Sequence, residues 1–337
     1  MAVAPGNDRV SWGMPGVAVR RARLVENTAL AGLVKALLAL SRPVGKQHTG
    51  GMKQRGYLQL DVFAHARGCG NPLGVVLDAD DLDASSMQAI AAWLNLSETT
   101  FVLRPTQAGA DYRLRIFTPR QELPFAGHPS VGTAHAVLER GLAMPREGCL
   151  VQECAAGLLP LRVDTAGGLR RLHVRAPRGV ERDSDSAAVL SSLRGVAMGR
   201  LRPALIDNGP RWWCIELADE VAVRSLSPDL EAMAAASRAT GAVGVAVFAR
   251  CRNSSCALVV RAFVPADGIP EDPVTGSANA AIAAWLHVND ALPARNYLAS
   301  QGREVGRDGV VECAVDAAGE VWIGGQTQTV VEGIISW

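Results

Sequence analysis

A short strand that ends in Phe-x-Pro occurs twice in this chain, and each time a Pro-containing turn leads from it to a glycine that opens an Ala-rich segment. The first copy runs from Ile116 to Pro129 and the second from Ala262 to Ala278. Each glycine, Gly127 in the first copy and Gly276 in the second, is expected to begin a helix. The repeat therefore predicts two related halves, each with one strand-turn-helix unit.

Two helix starts of this kind are suited to bind an anion. The first amides of a helix have no partner inside the helix, and the helix dipole places partial positive charge beside them. If the starts at Gly127 and Gly276 meet in a cleft, they can hold a carboxylate and stabilise negative charge that develops next to it. The repeat thus indicates a candidate active site between the two halves.

The composition is that of a globular protein large enough for two domains. The chain has 337 residues, of which 48% are hydrophobic and 20% are charged. The net charge is +1, but residues 1–52 hold seven Lys or Arg and only two acidic residues, so the remainder is mildly acidic. A mildly acidic body argues against nucleic acid as the main partner.

Residues 1–52 differ from the rest of the chain and are predicted to form an N-terminal appendage that is disordered or loosely helical. Lys35 breaks the longest uncharged run well short of the ~20 apolar residues that a membrane span needs, so no membrane partner is expected. The basic residues at Arg20, Arg21 and Arg23 lie too deep for a secretory signal. Translation begun upstream of a natural start at Met52 would also account for this segment, and an organelle transit peptide is the alternative.

Neither a metal nor an organic cofactor is expected from the motifs. The seven cysteines contain no C-x-x-C pair and have no histidines at metal-finger spacing, which favours reduced thiols in a cytoplasmic protein. Gly68–Gly74 approaches a dinucleotide fingerprint, but its spacing is wrong, Pro72 interrupts it and a strand rather than a helix follows. The sequence also lacks a Walker A motif, H-E-x-x-H and G-x-S-x-G.

Hydrophobic periodicity from Tyr57 onwards predicts many short antiparallel strands and few helices. The predicted helices span 81–95, 128–140, 228–240 and 278–288. Strand-helix-strand alternation is not evident, so the predicted fold class is α+β.

Five ionisable or hydroxyl side chains near the repeat are candidates for chemistry. Glu98 stands between a helix end and a strand, where it is either a base that points into a cleft or a surface carboxylate. Glu122 is the rival carboxylate and can instead tie down its own turn. Asp272 is either a turn residue or a partner of an ionisable group, and Ser277 is either an N-cap or a site residue. His128 holds the matching place in the first copy, where a functional role is favoured.

Several segments of the chain resemble the PhzF-like isomerase family of phenazine biosynthesis. The three signature segments are Asn95–Val102, Phe117–Pro129 and Glu271–Ala278, and they occur in the family's order. Gly70–Pro72, Asn208–Arg211 and the stretch from Ser300 to Arg307 add to the likeness. The likeness covers the chain from about Tyr57 to the C-terminus and leaves out the first 52 residues.

The resemblance implies a diaminopimelate-epimerase-like fold. Such a fold has two pseudo-symmetric domains, each a curled antiparallel sheet around a central helix, with the site between them. We expect the domains to span residues 53–165 and 166–337, with the last strand a candidate to return to the first domain. A homodimer is expected by the same resemblance, and the apolar tail from Val330 to Trp337 supplies either part of a contact or a last core strand.

The resemblance also implies roles for the candidates. Glu98 becomes the general acid and base, and His128, Asp272 and Ser277 support it. The amides of Gly127, His128, Gly276 and Ser277 are suited to grip the carboxylate of a small cyclic or amino-acid-like substrate. The phenazine enzyme of this family moves a proton along a conjugated dihydro-hydroxyanthranilate without metal or organic cofactor.

One departure from the wider superfamily narrows the chemistry. Cofactor-independent racemases of this fold carry a cysteine at each helix start, whereas His128 and Ser277 stand at those approximate places here. Two-base stereoinversion is therefore disfavoured, and same-face proton transfer by Glu98 is preferred. Two alternatives stay open, a catalytically vestigial small-molecule-binding protein and a serine hydrolase with Ser277, His128 and Asp272 as its triad.

Overall fold

The structure of the protein is a computed structural model that describes residues 53–252 and 254–337. The described residues belong to one compact unit. The appendage predicted at residues 1–52 lies outside them. The boundary predicted between residues 165 and 166 stays a prediction.

Two series of strands and helices follow one another along the described chain. The first comprises β1 Gln54–Val62, β2 Asn71–Val76, α1 Ala84–Leu94, β3 Glu98–Leu103, β4 Tyr112–Phe117, β5 Glu122–Leu123, α2 Gly127–Glu139, β6 Cys149–Cys154, β7 Gly157–Asp164 and β8 Arg171–Arg175. The second comprises β9 Val180–Arg182, α3 Ala187–Ser192, β10 Ala204–Asp207, β11 Arg211–Glu216, α4 Glu220–Arg224, α5 Leu230–Thr240, β12 Gly244–Arg250, β13 Leu258–Val264, β14 Ile269–Asp272, α6 Gly276–Val288, β15 Asn296–Gln301, β16 Gly309–Val315, β17 Val321–Gly325 and β18 Thr327–Ser336.

The strand pairing repeats in the two halves, as the sequence repeat predicts. In the first half β1 pairs antiparallel with β2, β2 runs parallel to β3, β3 is antiparallel to β4, and β4 runs parallel to β6. The second half follows the same order: β10 pairs antiparallel with β11, β11 runs parallel to β12, β12 is antiparallel to β13, and β13 runs parallel to β15. The fold class is α+β, with each half a curled, mostly antiparallel sheet.

The expectation that strand-helix-strand alternation is missing was wrong. A helix lies between the two strands of each parallel pair. α1 joins β2 to β3, α2 joins β4 to β6, α4 and α5 join β11 to β12, and α6 joins β13 to β15. Strands in such units are buried on both faces and read as continuous apolar runs. The run Gly244–Ala249 in β12 is of this kind, since each of its residues is buried.

The two halves are joined by strands at their edges. β8 of the first half pairs antiparallel with β17 of the second. The last strand, β18, pairs along β1 over its length, with a register shift between Gln59 and Leu60. Val330, Val331 and Ile334 on β18 remain exposed, so the strand is not an interior core strand.

Each sheet curls around one buried helix. α2 packs against the first-half strands β1, β2, β3, β4, β6 and β8, and α6 packs against β10, β11, β16 and β17. Both helices are buried along most of their length, as expected for a helix that is apolar or small on every side. At Gly132 in α2, an added Cβ would lie 2.5 Å from a methyl carbon of Leu73, so only glycine allows this approach of helix and sheet.

No helix within residues 53–252 and 254–337 is long and apolar enough to cross a membrane.

Candidate active site

The starts of the two central helices lie against each other. A Cβ added to Gly127 would lie 3.8 Å from Gly276 Cα, and one added to Gly276 would lie 3.5 Å from the backbone nitrogen of His128. The N-cap residues, Ala126 and Thr275, are extended and make no side-chain capping bond. The first-turn amides of both helices therefore lie together without a capping side chain, which is the arrangement that an anion site requires.

Glu98 is the first residue of β3 and lies beside His128 at the start of α2. The preceding helix, α1, ends at Leu94 and is capped by Asn95, whose left-handed backbone (φ 52°) turns the chain toward β3. The Glu98 side chain is 17% exposed, and its Oε2 lies 3.4 Å from His128 Nε2. Both atoms are buried, and neither has a hydrogen-bond partner among the described residues. The acid and the imidazole are thus close but unpaired, so each can accept a partner from a bound molecule.

Asp272 ends β14 and brings a second carboxylate to the same place. Its Oδ1 accepts a hydrogen bond of 3.1 Å from Asn71 Nδ2, and its Oδ2 accepts one from the hydroxyl of Thr275. The charges of Glu98 and His128 both act on it. Residues from β2, β3, α2 and β14 therefore meet in one cluster that draws on both halves of the chain.

Burial sets the protonation of the three ionisable groups. It raises the pKa of Glu98 to about 7, and a hydrogen bond from Ser97 opposes this rise. It raises the pKa of Asp272 to about 6, against the hydrogen bond from Thr275 and with the help of the Glu98 charge. It lowers the pKa of His128 to about 4, although the charge of Asp272 acts the other way. Near pH 7, His128 is therefore neutral, Asp272 is mostly ionised and Glu98 is present in both forms.

Ser277 lies in the first turn of α6 but is held by other partners. Its Oγ accepts a hydrogen bond of 3.1 Å from Trp212 Nε1, and its carbonyl accepts one of 2.9 Å from Asn208 Nδ2. The N-cap reading of Ser277 was wrong, because Thr275 occupies that position. Within the described part of the chain, no hydrogen bond joins Ser277 to His128, so a serine-histidine-aspartate triad is not assembled.

Glu122, the rival carboxylate, is bound elsewhere. Both of its oxygens accept hydrogen bonds of 2.7 Å from Arg115 across the β4–β5 pair. This bidentate ion pair fastens the turn that precedes α2. The structure thus favours the structural alternative for Glu122.

Sequence reasoning did not assign roles to the polar side chains that support the cluster. Asn71, Gln301 and Asn208 lie in the short segments that resemble the family, but their partners are distant in sequence and no local pattern identifies them. Among the described residues, no group of three or more His, Cys, Asp or Glu has an arrangement that could hold a metal ion. The seven cysteines are all unpaired.

Comparison with known proteins gives matches over most of the chain. The family described as "Phenazine biosynthesis-like protein" (PhzC-PhzF) matches residues 60–333. Antisense-enhancing sequence 1 of Schizosaccharomyces pombe is 34% identical over 294 residues, which cover 84% of this chain and 99% of that protein. Trans-2,3-dihydro-3-hydroxyanthranilate isomerase of Pseudomonas aeruginosa is 34% identical over 266 residues, with 78% of this chain and 91% of that protein covered.

A solved structure gives the same match at the level of the fold. The crystal structure of the Bacillus anthracis phenazine biosynthesis protein, PhzF family, superposes with a TM-score of 0.73 at 26% identity. The superposition covers 84% of this chain and 99% of that one.

Proposed function

Because the chain belongs to the phenazine biosynthesis-like (PhzC-PhzF) family and is an isomerase, we propose that it moves a proton within a small carboxylate without a cofactor, using Glu98 as general acid and base. The observation that carries the proposal is the buried, unpaired contact between Glu98 Oε2 and His128 Nε2 beside two helix starts. This arrangement combines a proton acceptor with an anion site.

The proposed reaction needs only one base. Ionised Glu98 removes a proton from one carbon of the substrate, and the electron pair moves along the conjugated system toward the substrate carboxylate. Protonated Glu98 then returns the proton to another carbon on the same face. The first-turn amides at Gly127 and Gly276 stabilise the charge that develops between the two steps.

The protonation of Glu98 supports this role. A group that both accepts and donates a proton is most effective when its pKa lies near the working pH. Burial brings the pKa of Glu98 to about 7, so at neutral pH the base and the acid are both populated. A free glutamate would be almost entirely ionised there and a poor donor.

His128 and Asp272 are proposed to orient the substrate. The neutral imidazole of His128 has an unpaired Nε2, which can exchange a hydrogen bond with a hydroxyl or amino group. Ionised Asp272 favours a substrate group that donates hydrogen bonds or carries positive charge. The substrate class is accordingly a cyclic or amino-acid-like carboxylate with such a group near its acid.

A solvent-exchange assay tests the function. The full-length protein is incubated in D₂O with trans-2,3-dihydro-3-hydroxyanthranilate and with a panel of cyclic and amino-acid-like carboxylates, and deuterium in carbon positions is followed by NMR. We expect the position of a double bond to change in at least one carboxylate, with deuterium at carbon in those turnovers in which protonated Glu98 exchanges with solvent before it returns the proton. A product that forms by hydrolysis, or a panel in which no carbon-bound hydrogen changes its position, would contradict the proposal.

Replacing Ser277 with alanine is expected to weaken substrate binding but to leave turnover largely intact. Trp212 donates to Ser277 Oγ, so the serine's own proton is free to donate to the substrate carboxylate. The loss of one such bond to a charged group raises KM by about tenfold, as expected from ~1.5 kcal/mol. Steady-state kinetics measure kcat and KM separately and so distinguish weaker binding from slower turnover.

The matched control for this variant is Ser225→Ala, because Ser225 is an exposed serine whose hydroxyl donates to a helix carbonyl. It should leave both constants unchanged. A collapse of kcat in Ser277→Ala, together with labelling of Ser277 by a fluorophosphonate, would instead favour the hydrolase.

A further inference from the structure

Asn71 is a fully buried amide that touches the segments carrying both carboxylates. Its Nδ2 donates to Asp272 Oδ1 over 3.1 Å and to the carbonyl of Val274 over 2.9 Å. Its Oδ1 accepts a hydrogen bond of 3.2 Å from the hydroxyl of Ser97. The orientation of the amide is fixed, because both groups facing Nδ2 are acceptors. Asn71 stands at the start of β2, so it joins the first half of the chain to the segment that begins α6 in the second.

Ser97 connects Asn71 to Glu98. It precedes Glu98 in the chain, its hydroxyl donates to Asn71 Oδ1, and its nearness to the Glu98 carboxyl lowers the pKa of that group. A serine hydroxyl has a single proton to donate. The carboxylate of Glu98 and the Oδ1 of Asn71 therefore compete for the same donor.

On the other side, Asp272 is fixed within the second half. Thr275 donates to Asp272 Oδ2 and accepts a hydrogen bond of 2.9 Å from Gln301 Nε2. Gln301 also donates to the carbonyl of Asp272 over 3.1 Å. A continuous path of hydrogen bonds thus runs from Ser97, the neighbour of Glu98 in the chain, through Asn71 and Asp272 to Thr275 and Gln301.

We propose that Asn71 is a positioning residue, which clamps the segment of Glu98 to the segment of Asp272 and links the protonation of the two carboxyls through Ser97. This inference rests on the proposed function of the site. Asn71 acts through its neighbours, because its side chain is buried and its amide is occupied by Asp272, Val274 and Ser97. The titratable groups that act on Asp272 are Glu98 from β3 and His128 from α2.

Because Glu98 and Asn71 compete for the Ser97 proton, Asn71→Ala and Ser97→Ala are expected to shift the pKa of Glu98 in opposite directions. Asn71→Ala removes a donor to Asp272, so the pKa of Asp272 rises, and it frees Ser97 for Glu98, so the pKa of Glu98 falls. Ser97→Ala removes a donor to Glu98, so the pKa of Glu98 rises. A merely structural role of Asn71 predicts no such opposition.

The test is a ¹³C NMR titration of the Asp272 and Glu98 carboxyls in the full-length protein, the two variants and Gln152→Ala. Gln152 is the matched control, because it is an equally buried amide whose partners are Tyr112 and Ser130. It should leave both titrations unchanged. An unshifted Asp272 in folded Asn71→Ala, or a Glu98 that moves in the same direction in both variants, overturns the proposal.

The titration still tests the role of Asn71 if Asn71→Ala fails to fold or if the protein is not an isomerase. If Asn71→Ala does not fold, Ser97→Ala, at a partly exposed position, still tests the link, and an unshifted Glu98 there rejects it. The titration needs no substrate, so it can be read even if the solvent-exchange assay rejects the isomerase. Where turnover is measured, Asn71→Ala should lower kcat about tenfold or more, as expected for a lost bond to a charged group, with little change in KM.

Discussion

Glu98→Gln is expected to reduce deuterium incorporation into the substrate by about a thousandfold, within the range found for removal of a general acid or base. The amide has the size of the carboxyl but cannot remove a proton from carbon. Glu98 Oε2 has no hydrogen-bond partner among the described residues, so the substitution breaks no contact of that oxygen. Substrate binding should change little, because the helix-start amides remain. The measurement is NMR of solvent exchange at saturating substrate, with KM determined beside it.

Glu122→Gln is the matched control for this variant. Glu122 is a carboxyl of the same kind, but it is bound to Arg115 and lies toward the surface. Its replacement should leave exchange within about twofold, because no hydrogen bond among the described residues joins Glu122 to Glu98, His128 or Asp272, and glutamine keeps one oxygen that can accept from Arg115. If Glu98→Gln keeps full solvent exchange and Glu122→Gln loses it, Glu122 rather than Glu98 is the base. Equal binding by wild type and Glu98→Gln, with no exchange in either, would favour the vestigial binding protein.

The sequence repeat was sufficient to locate the centre of the fold. The Phe-x-Pro strands and the glycines after them predict two helix starts, and α2 and α6 begin at Gly127 and Gly276. At the second start the glycine also allows close packing, since a Cβ added to Gly276 would lie 3.3 Å from a ring carbon of Phe63. Glu98 was placed correctly at a junction between helix and strand, since α1 ends at Leu94 with Asn95 as its cap and β3 begins at Glu98 itself.

Contacts between distant parts of the chain could not be read in the same way. Asn71 meets Asp272, and Trp212 meets Ser277, through the folding of separate strands onto one place. Periodicity reports which face of an element is buried but not which side chain lies opposite it. The short elements β9 and α3 were missed because Arg, Asp and Ser surround them and the one apolar run there, Ala187–Leu190, is only four residues long.

Glu98→Gln is also expected to make the folded protein more stable at alkaline pH, by up to about 3 kcal/mol in the free energy of unfolding. Burial raises the pKa of Glu98 from 4.5 to about 7 in the folded state, while the unfolded chain keeps the lower value. Below pH 4.5 the carboxyl is protonated in both states and carries no penalty. As the pH rises through 7, the folded state must bury a carboxylate, and the stabilisation present at low pH is lost. Glutamine stays neutral throughout and avoids this loss.

Urea unfolding of the two proteins at pH 4.5, 6 and 8 measures the difference. The gain of Glu98→Gln should be near zero at pH 4.5 and grow with pH, whereas Glu122→Gln should show no such growth. Asp272 titrates in the same range and is freed from the raising effect of the Glu98 charge in Glu98→Gln, which adds to the gain in the same direction as the pH rises. A gain that is the same at every pH would show that the carboxyl of Glu98 is not destabilised by burial. A gain that grows with pH, in the variant that loses exchange, would show that the site keeps a costly buried base because the reaction needs it.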